Sequence, residues 1–429
     1  MVNLTKLHRA GGLAALRDEM ARQYPDMIAR IKVAPDAAPA SLLGKAMVGA
    51  VCAGDQDNAL RIAGRLMPGL PALGPLRLSP LGTLADYCGA RGHRYEEVLP
   101  PARVRLAPTT SYSLPYSYET TPAWFASLPQ AQFIPGWDFV LGEDGTILTD
   151  SGYMPPHPAT RAFITFYVRA VDSLIHYAPA EERFVDEEVL FLSAPENNIG
   201  HWMIDFLPRL KGLALLAGRK VKLAVPADLP PRCIAMLRAF GVADEDILAC
   251  APGVRHRFRM CHIYKPGIAE PPNPVHVKFV REGLTRGMPL RITPGKRVFL
   301  SRASVGTRRI ANQAEVDALL AREGFIAADL AHLDFAGQKE LLGDAEVILG
   351  PFGSNLFGMY LAPGNCTLMM LINAALEDSI FAHTAAILGL RHQFVLCATT
   401  PESAAIRNKE RDVIVNCEAL AAQISLAGA

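Results

Sequence analysis

The sequence has no surplus of either charge: 43 Lys and Arg against 42 Asp and Glu leave a net charge of +1. A generic nucleic-acid or anionic-membrane binder needs a basic excess over its surface, so neither class is supported. The balance still leaves room for one local basic pocket. Cysteine is scarce, with eight in 429 residues, and none forms a C-x-x-C pair. Zinc-ribbon and thioredoxin-type readings therefore fail, and reduced core thiols remain. No run of about 18 apolar residues occurs, so no membrane-spanning helix is expected. The first twenty residues carry Lys6, Arg9, Arg17, Asp18 and Glu19 without an apolar h-region, so no secretory signal is read and a cytoplasmic address is expected. The common signatures are missing too. There is no G-x-G-x-x-G after a strand, no G-x-x-x-x-G-K-[ST], no H-E-x-x-H and no G-x-S-x-G, which weakens dinucleotide, P-loop, zinc-protease and α/β-hydrolase readings.

What is present is an apolar-rich chain: 50% hydrophobic against 20% charged residues, which rules out wholesale disorder. Its length gives a prior of two or three domains. Residues 4–70 read as helices, with Leu13, Leu16, Met20 and Tyr24 at helical spacing and breaks expected at Pro25, Pro35, Pro39, Gly54 and Pro68. This stretch is either a partner module or a helical extension packed on the main body. Residues 68–135, rich in proline and aromatics, read as loops and short strands.

From about residue 185 strands alternate with helices. Val185–Ser193, Val221–Val225 and Phe258–Tyr264 read as strands, with helices over Asn198–Leu216, Pro231–Phe240 and near Val275–Leu284. A second series begins near residue 290. Its strands are Arg297–Leu300, Phe325–Ala328, Glu346–Gly350, Leu368–Ile372 and Phe394–Cys397; its helices are Asn312–Arg322, Asp334–Leu342, Ser354–Leu361 and Ile380–Leu388. Asn312 followed by Glu315 resembles a capping box. Such alternation predicts βαβ units and two parallel sheets, whose ligands sit beyond the carboxyl ends of the strands.

Three constellations carry chemistry. In Asn197-Asn-Ile-Gly-His-Trp-Met-Ile-Asp-Phe-Leu-Pro-Arg209, His201 and Asp205 stand four apart on one helix face just after a strand. An imidazole beside a carboxylate can take a proton from a substrate hydroxyl; capping and packing is the plainer reading. In Ser301-Arg-Ala-Ser-Val-Gly-Thr-Arg-Arg309, Arg302 ends a strand, and Arg308 and Arg309 precede a helix. Guanidiniums so placed suit a diphosphate through bidentate charge-assisted bonds, against the alternative of a solvated basic loop. In Gly350-Pro-Phe-Gly-Ser-Asn355 a glycine turn opens a helix, where free N–H groups and the positive dipole end face an anion. A plain tight turn would look the same.

Taken in order, these segments resemble bacterial members of glycosyltransferase family 61. Asn198-Ile-Gly-His-Trp-Met-Ile-Asp205 is similar to the family's histidine-x-x-x-acid stretch, and Leu300-Ser-Arg302 with Arg309-Ile-Ala-Asn312 to its arginine segment. Asp334-Phe-Ala-Gly-Gln338 matches the place of a family glutamine. Ile348-Leu-Gly-Pro-Phe-Gly-Ser354 with Leu361-Ala-Pro-Gly364 resembles its glycine turn and later Pro-Gly. The resemblance covers about residues 80–400. It implies an α/β GT-B-like fold of two Rossmann-like domains facing a cleft; with the helical extension read over 1–75, these are an acceptor domain over 76–290 and a nucleotide-sugar domain over 291–429.

It further implies an inverting, metal-independent glycosyltransferase that moves a sugar from a nucleotide-sugar to a polysaccharide or glycolipid acceptor of the capsular or exopolysaccharide type. Asp205 is then the candidate base with His201 beside it. Arg302, Arg308 and Arg309 clamp the diphosphate, and Gly353, Ser354 and Asn355 form the anion turn. No cofactor beyond the donor and no nucleic-acid partner is expected. Association with the inner face of the membrane and homo-oligomerisation stay open. Two departures stand out: Phe352 replaces a histidine found in many members, and Leu368-Met-Met-Leu371 lacks an acidic residue common in that strand. They leave an alternative, a non-catalytic relative that binds sugars or recruits partners.

Overall fold

The computed structural model describes residues 4–33, 38–66, 74–106, 117–137, 139–152, 164–168, 172–193, 198–267, 269–302, 305–373, 379–403 and 406–427. Three helices open the chain: α1 (Leu4–Val33), α2 (Ala40–Ala53) and α3 (Gln56–Leu66). α1 runs through Pro25, where a break was expected. The proline costs a backbone hydrogen bond, roughly 3 kcal/mol. Burial of Tyr24, Met27, Ile28 and Ile31 beside Met47 and Ile62 offsets that cost. Pro39 precedes α2, and Gly54 closes it in the left-handed conformation, as glycine allows. Pro35 and Pro68 lie outside the described residues.

The helices pack on the start of a mixed sheet, through Leu76, Leu78, Ile175 and Tyr177. Its elements are β1 (Leu76–Gly82), α4 (Leu84–Arg91), β2 (Arg94–Leu99), a side hairpin of β3 (Arg103–Arg105) and β4 (Ser117–Glu119), β5 (Ala123–Pro129), β6 (Gln132–Phe133), β7 (Val140–Leu141), β8 (Ile147–Leu148), β9 (Ile164–Val168) and β10 (Ser173–Tyr177). These run mostly antiparallel. The second part is a βαβ series: β11 (Glu181–Phe191), α5 (Ile199–His201), β12 (Lys222–Pro226), α6 (Pro231–Ala239), β13 (Ile247–Cys250), β14 (Val254–Lys265) and α7 (Pro274–Leu284). Here the strand order β13-β12-β11-β14 is parallel throughout. The expected wholly parallel first sheet is thus corrected: β14 pairs antiparallel with β5 and β6, which joins the two halves into one twelve-stranded sheet.

The second sheet follows the expectation closely. It comprises β15 (Arg297–Leu300), α8 (Gln313–Arg322), β16 (Phe325–Ala328), α9 (Phe335–Leu342), β17 (Val347–Pro351), β18 (Thr367–Asn373), α10 (Ile380–Ile387), β19 (Arg391–Thr399), β20 (Val413–Ile414) and α11 (Cys417–Ala427). The order is β16-β15-β17-β18-β19-β20, with only β20 antiparallel. Every residue of β17 and β18 is buried. That is why both read as unbroken apolar runs rather than alternating ones. The acid-free Leu368–Leu371 stretch is simply the sheet's centre.

The capping box expected at Asn312 does not form. The Asn312 side chain instead binds the backbone of Val415 on both sides, accepting from its N–H at 3.0 Å and donating to its carbonyl at 2.9 Å. One apolar core reaches both sheets, taking in Leu190 and Leu223, Leu207 and Leu210, Val280, and Val298, Leu300, Ile348 and Leu368. α7 ties the sides further, since Arg281 donates to the carbonyls of Leu388 at 3.1 Å and Ala362 at 2.6 Å.

Candidate functional site

In the parallel part of each sheet the chain reverses its direction of travel once. After β11 it moves out to β12 and β13, then returns to β14 on the other flank of β11. After β15 it moves to β16, then returns to β17 on the other flank of β15. Such switch points leave a crevice at the carboxyl ends of the two central strands, because the loops there diverge. The three constellations fall on these crevices. Residues 198–216 leave the end of β11, Ser301 and Arg302 the end of β15, and Gly353–Asn355 the end of β17.

A cavity of about 330 Å³ opens there, walled by carboxyl-end loops of both sheets. Asn198, Ile199 and Met203 come from the segment after β11, and Arg232 from the start of α6. Ser301, Arg302, Asp329, Ser354 and Asn355 come from the loops after β15, β16 and β17. Its volume is in the range of small-molecule sites.

Arg302 is the strongest positive feature of this wall. Its guanidinium is half-buried and its Nε is buried with no hydrogen-bond partner. Burial pulls its pKa down to about 10, Arg308 adds like charge, and Asp329 opposes them. It stays a cation at neutral pH and is short of acceptors. Gly353 lies directly beneath it. A Cβ there would run into Nη1 of Arg302, and its φ of 157° with ψ of 173° is a backbone state that side chains rarely adopt. Glycine therefore lets the arginine lie flat against the turn. The turn opens the 3₁₀ segment Ser354–Leu361. Asn355 donates from its amide to the Leu300 carbonyl at 3.2 Å, while its buried Oδ1 has no partner. Gln338, inside α9 and buried, donates to the carbonyls of Leu330 at 2.9 Å and Leu333 at 3.2 Å, which fixes the wall formed by Leu330.

Asn198–Leu216 is not one helix. A single α turn, α5, passes into a π-helical stretch at Trp202–Phe206 and then a 3₁₀ segment at Leu207–Leu216. Pro208 has no N–H to give, so the i→i−4 ladder cannot continue through it. Asn198 caps the start, accepting from Gly200 N–H at 2.9 Å. Gly200 is needed for contact, since a Cβ would lie 3.0 Å from the Phe357 ring. His201 Nδ1 lies 2.8 Å from Asp205 Oδ2. The Asp205 side chain is 11% exposed and that of His201 35%, so the imidazole is the accessible member and the carboxylate stands behind it. Neither residue is part of the 330 Å³ wall, where Ile199 and Met203 are. Asn197 lies outside the described residues.

The structure does not bring Arg308 and Arg309 to this cavity. Arg309 is exposed and forms bonds of 3.0 and 2.8 Å from Nε and Nη2 to Asp412 Oδ2, with its backbone N–H on Oδ1 at 2.8 Å. Arg308 lies over the Phe352 ring at 5.5 Å, with Nη1 3.4 Å from the Phe352 carbonyl, on the β18–β20 side of the turn. Phe352 packs edge-on to Phe381 at 5.1 Å. Arg232 was not foreseen. Its only sequence cue is a single arginine at a helix start after Pro230-Pro231, beyond a parallel strand.

Among the described residues, no three His, Cys, Asp or Glu side chains gather to hold a metal ion, and no helix is long and apolar enough to cross a membrane.

An α/β chain with a cation-lined cavity at two strand-order switch points has the form of a site for a phosphorylated or nucleotide-like ligand. Over residues 199–369 the sequence matches the family model described as Glycosyltransferase 61. That span begins at α5, ends in β18 and encloses His201, Asp205, Arg302 and Gly353–Asn355. The match supports a glycosyltransferase, with a sugar donor and a glycan acceptor in general terms. No curated protein matches the chain at a significant level.

Proposed function

We propose that the protein is an inverting glycosyltransferase that takes a sugar from a nucleotide-sugar without a metal ion. Residues 76–290 and 291–429 would act as the acceptor and donor sides of a GT-B-like arrangement. The carrying observation is Arg302: a half-buried cation with an unpartnered Nε, laid over Gly353 at the β15/β17 switch point and facing the 330 Å³ cavity. Arg302, Arg232 and the N–H groups that open the Ser354 segment receive the diphosphate. Arg308 and Arg309 have no part in this reading.

The acceptor hydroxyl attacks the anomeric carbon from the face opposite the diphosphate. The new C–O bond forms as the bond to the diphosphate oxygen breaks, and the electron pair leaves on that oxygen. Arg302 and the turn N–H groups meet the developing charge. The acceptor proton goes to His201. A ring that donates through Nδ1 to Asp205 carries its lone pair on Nε2, so the buried carboxylate orients the imidazole and stabilises its cation. In this reading the expected order of the dyad is reversed: the more exposed His201 is the base and the buried Asp205 its partner. The acceptor is read as a surface polysaccharide or glycolipid reached from the cytoplasm.

The test is a panel of nucleotide-sugars assayed for binding, hydrolysis and transfer, repeated with Arg302→Ala and His201→Ala. Weakened donor binding in the first variant and strongly reduced turnover in the second are expected. If no nucleotide-sugar binds, the reading fails. Binding without any turnover across the panel would turn the assignment to a sugar-binding relative.

A further inference from the structure

A second cavity, of about 430 Å³, lies where the N-terminal helices meet β1 and β10, and it shares no wall residue with the first. Its charge is one-sided. Arg17 of α1, Arg77 of β1 and Arg255 of β14 all line it, and Asp144 is the single acid on the described wall. Asp144 is already held by Arg91 at 2.6 Å. Arg17 donates Nη2 to the Leu78 carbonyl at 2.9 Å, which fixes it at the edge of β1. Arg77 is exposed and has no ion-pair partner among the described residues.

Arg255 is the deep member. Its side chain is 13% exposed, and it reaches Glu182 at 2.5 Å. Glu182 is shared with Arg257 at 2.7 Å, and the Arg255 Nε is buried without a partner. The floor also carries the buried His176, whose Nδ1 is 2.9 Å from the Tyr177 carbonyl and whose Nε2 is 2.9 Å from Ser79 Oγ. Burial, with the Arg77 and Arg255 charges adding to it, pulls His176 down to about 4, so it does not compete as a cation but joins Ser79 as a neutral polar pair.

Three guanidiniums line one cavity, Glu182 is divided between Arg255 and Arg257, and Arg77 has no ion-pair partner among the described residues; an anion that brings two or more acceptor oxygens stabilises such a wall. The volume is far larger than one ion needs and falls in the range of small-molecule sites. We propose that this cavity is a second binding site for a hydroxylated anion of about one sugar's size, whose phosphate or carboxylate meets Arg77 and Arg255 and whose hydroxyls meet Ser79, which His176 holds in place. Such a group is supplied either by a free sugar phosphate or by an acidic residue of a glycan chain.

The test is calorimetric titration of the full chain with glucose 6-phosphate, a glucuronate-terminated disaccharide, glucose and inorganic phosphate. At least one sugar anion should bind at least tenfold more tightly than glucose and than inorganic phosphate. Arg77→Gln and Arg255→Gln should each weaken it about tenfold, while Arg302→Gln leaves it unchanged. Arg77 is an exposed side chain without an ion-pair partner, so its variant should fold, and its melting temperature checks this. Tighter binding of the disaccharide marks a glycan as the source; tighter binding of glucose 6-phosphate marks a free metabolite. The proposal is overturned if no sugar anion outbinds glucose, if inorganic phosphate binds as well as the best sugar anion, if Arg77→Gln binds normally, or if Arg302→Gln abolishes binding.

Discussion

The two ends of the loop after β15 carry arginines of opposite kinds. Arg302 is half-buried, lies on Gly353 and keeps a buried Nε unpartnered on a cavity wall. Arg309 is exposed and fully engaged with Asp412, tying the loop to β20. The difference teaches that an arginine's partner, rather than its place in a motif, separates a side chain left facing a cavity from one committed to the fold. Histidines divide the same way. His201 is partly exposed and backed by a carboxylate, whereas His176 and His392 are buried in the fold with pKa values pulled down to about 4 by burial.

The largest effect should come from these committed histidines. Both titrate near 4 when folded and near 6.5 when unfolded. Between those values the unfolded chain binds more protons, so the stability present above pH 6.5 drains away as pH falls towards 4. Urea midpoints should drop by an amount worth several kcal/mol between pH 7.5 and 4.5; a flat profile would mean that these rings are not held neutral. Next comes the more exposed ring. His201→Ala should lower turnover by about 10³-fold with donor affinity within threefold, because general-base catalysis typically contributes 10²- to 10⁴-fold. Equal loss of binding and turnover would instead make His201 a binding group.

Arg302→Ala should cost about 100-fold in turnover and weaken nucleoside diphosphate binding, with an unchanged melting temperature. Arg309→Ala is the matched control and the smallest effect. It should leave turnover within threefold and cost at most about 1 kcal/mol, the ordinary worth of an exposed ion pair. If the two arginine variants behaved alike, the contrast between them would be void.

The second sheet was legible because its strands are buried on both faces, and β17 and β18 show as continuous apolar runs. The antiparallel strands between residues 123 and 177 were not, because several span only two to five residues and carry no full period. The His201–Asp205 spacing pointed to a real contact, yet the exposure order of the pair depends on packing around Asp205 that no local pattern encodes. Asp412, 103 residues beyond Arg309, is equally invisible locally, and so the basic loop read as three equivalent clamps.

The core shared by the two sheets has a consequence for motion. Leu190, Leu207, Val280, Leu300 and Ile348 belong to one apolar body. Prising the sheets apart to expose about 200 Å² of it would cost about 5 kcal/mol. The frame therefore favours small adjustments of its carboxyl-end loops over jaw-like opening. Traffic into the cavity would then be gated locally, and turnover should respond to loop substitutions far more than to crowding or viscosity that slows whole-body rotation.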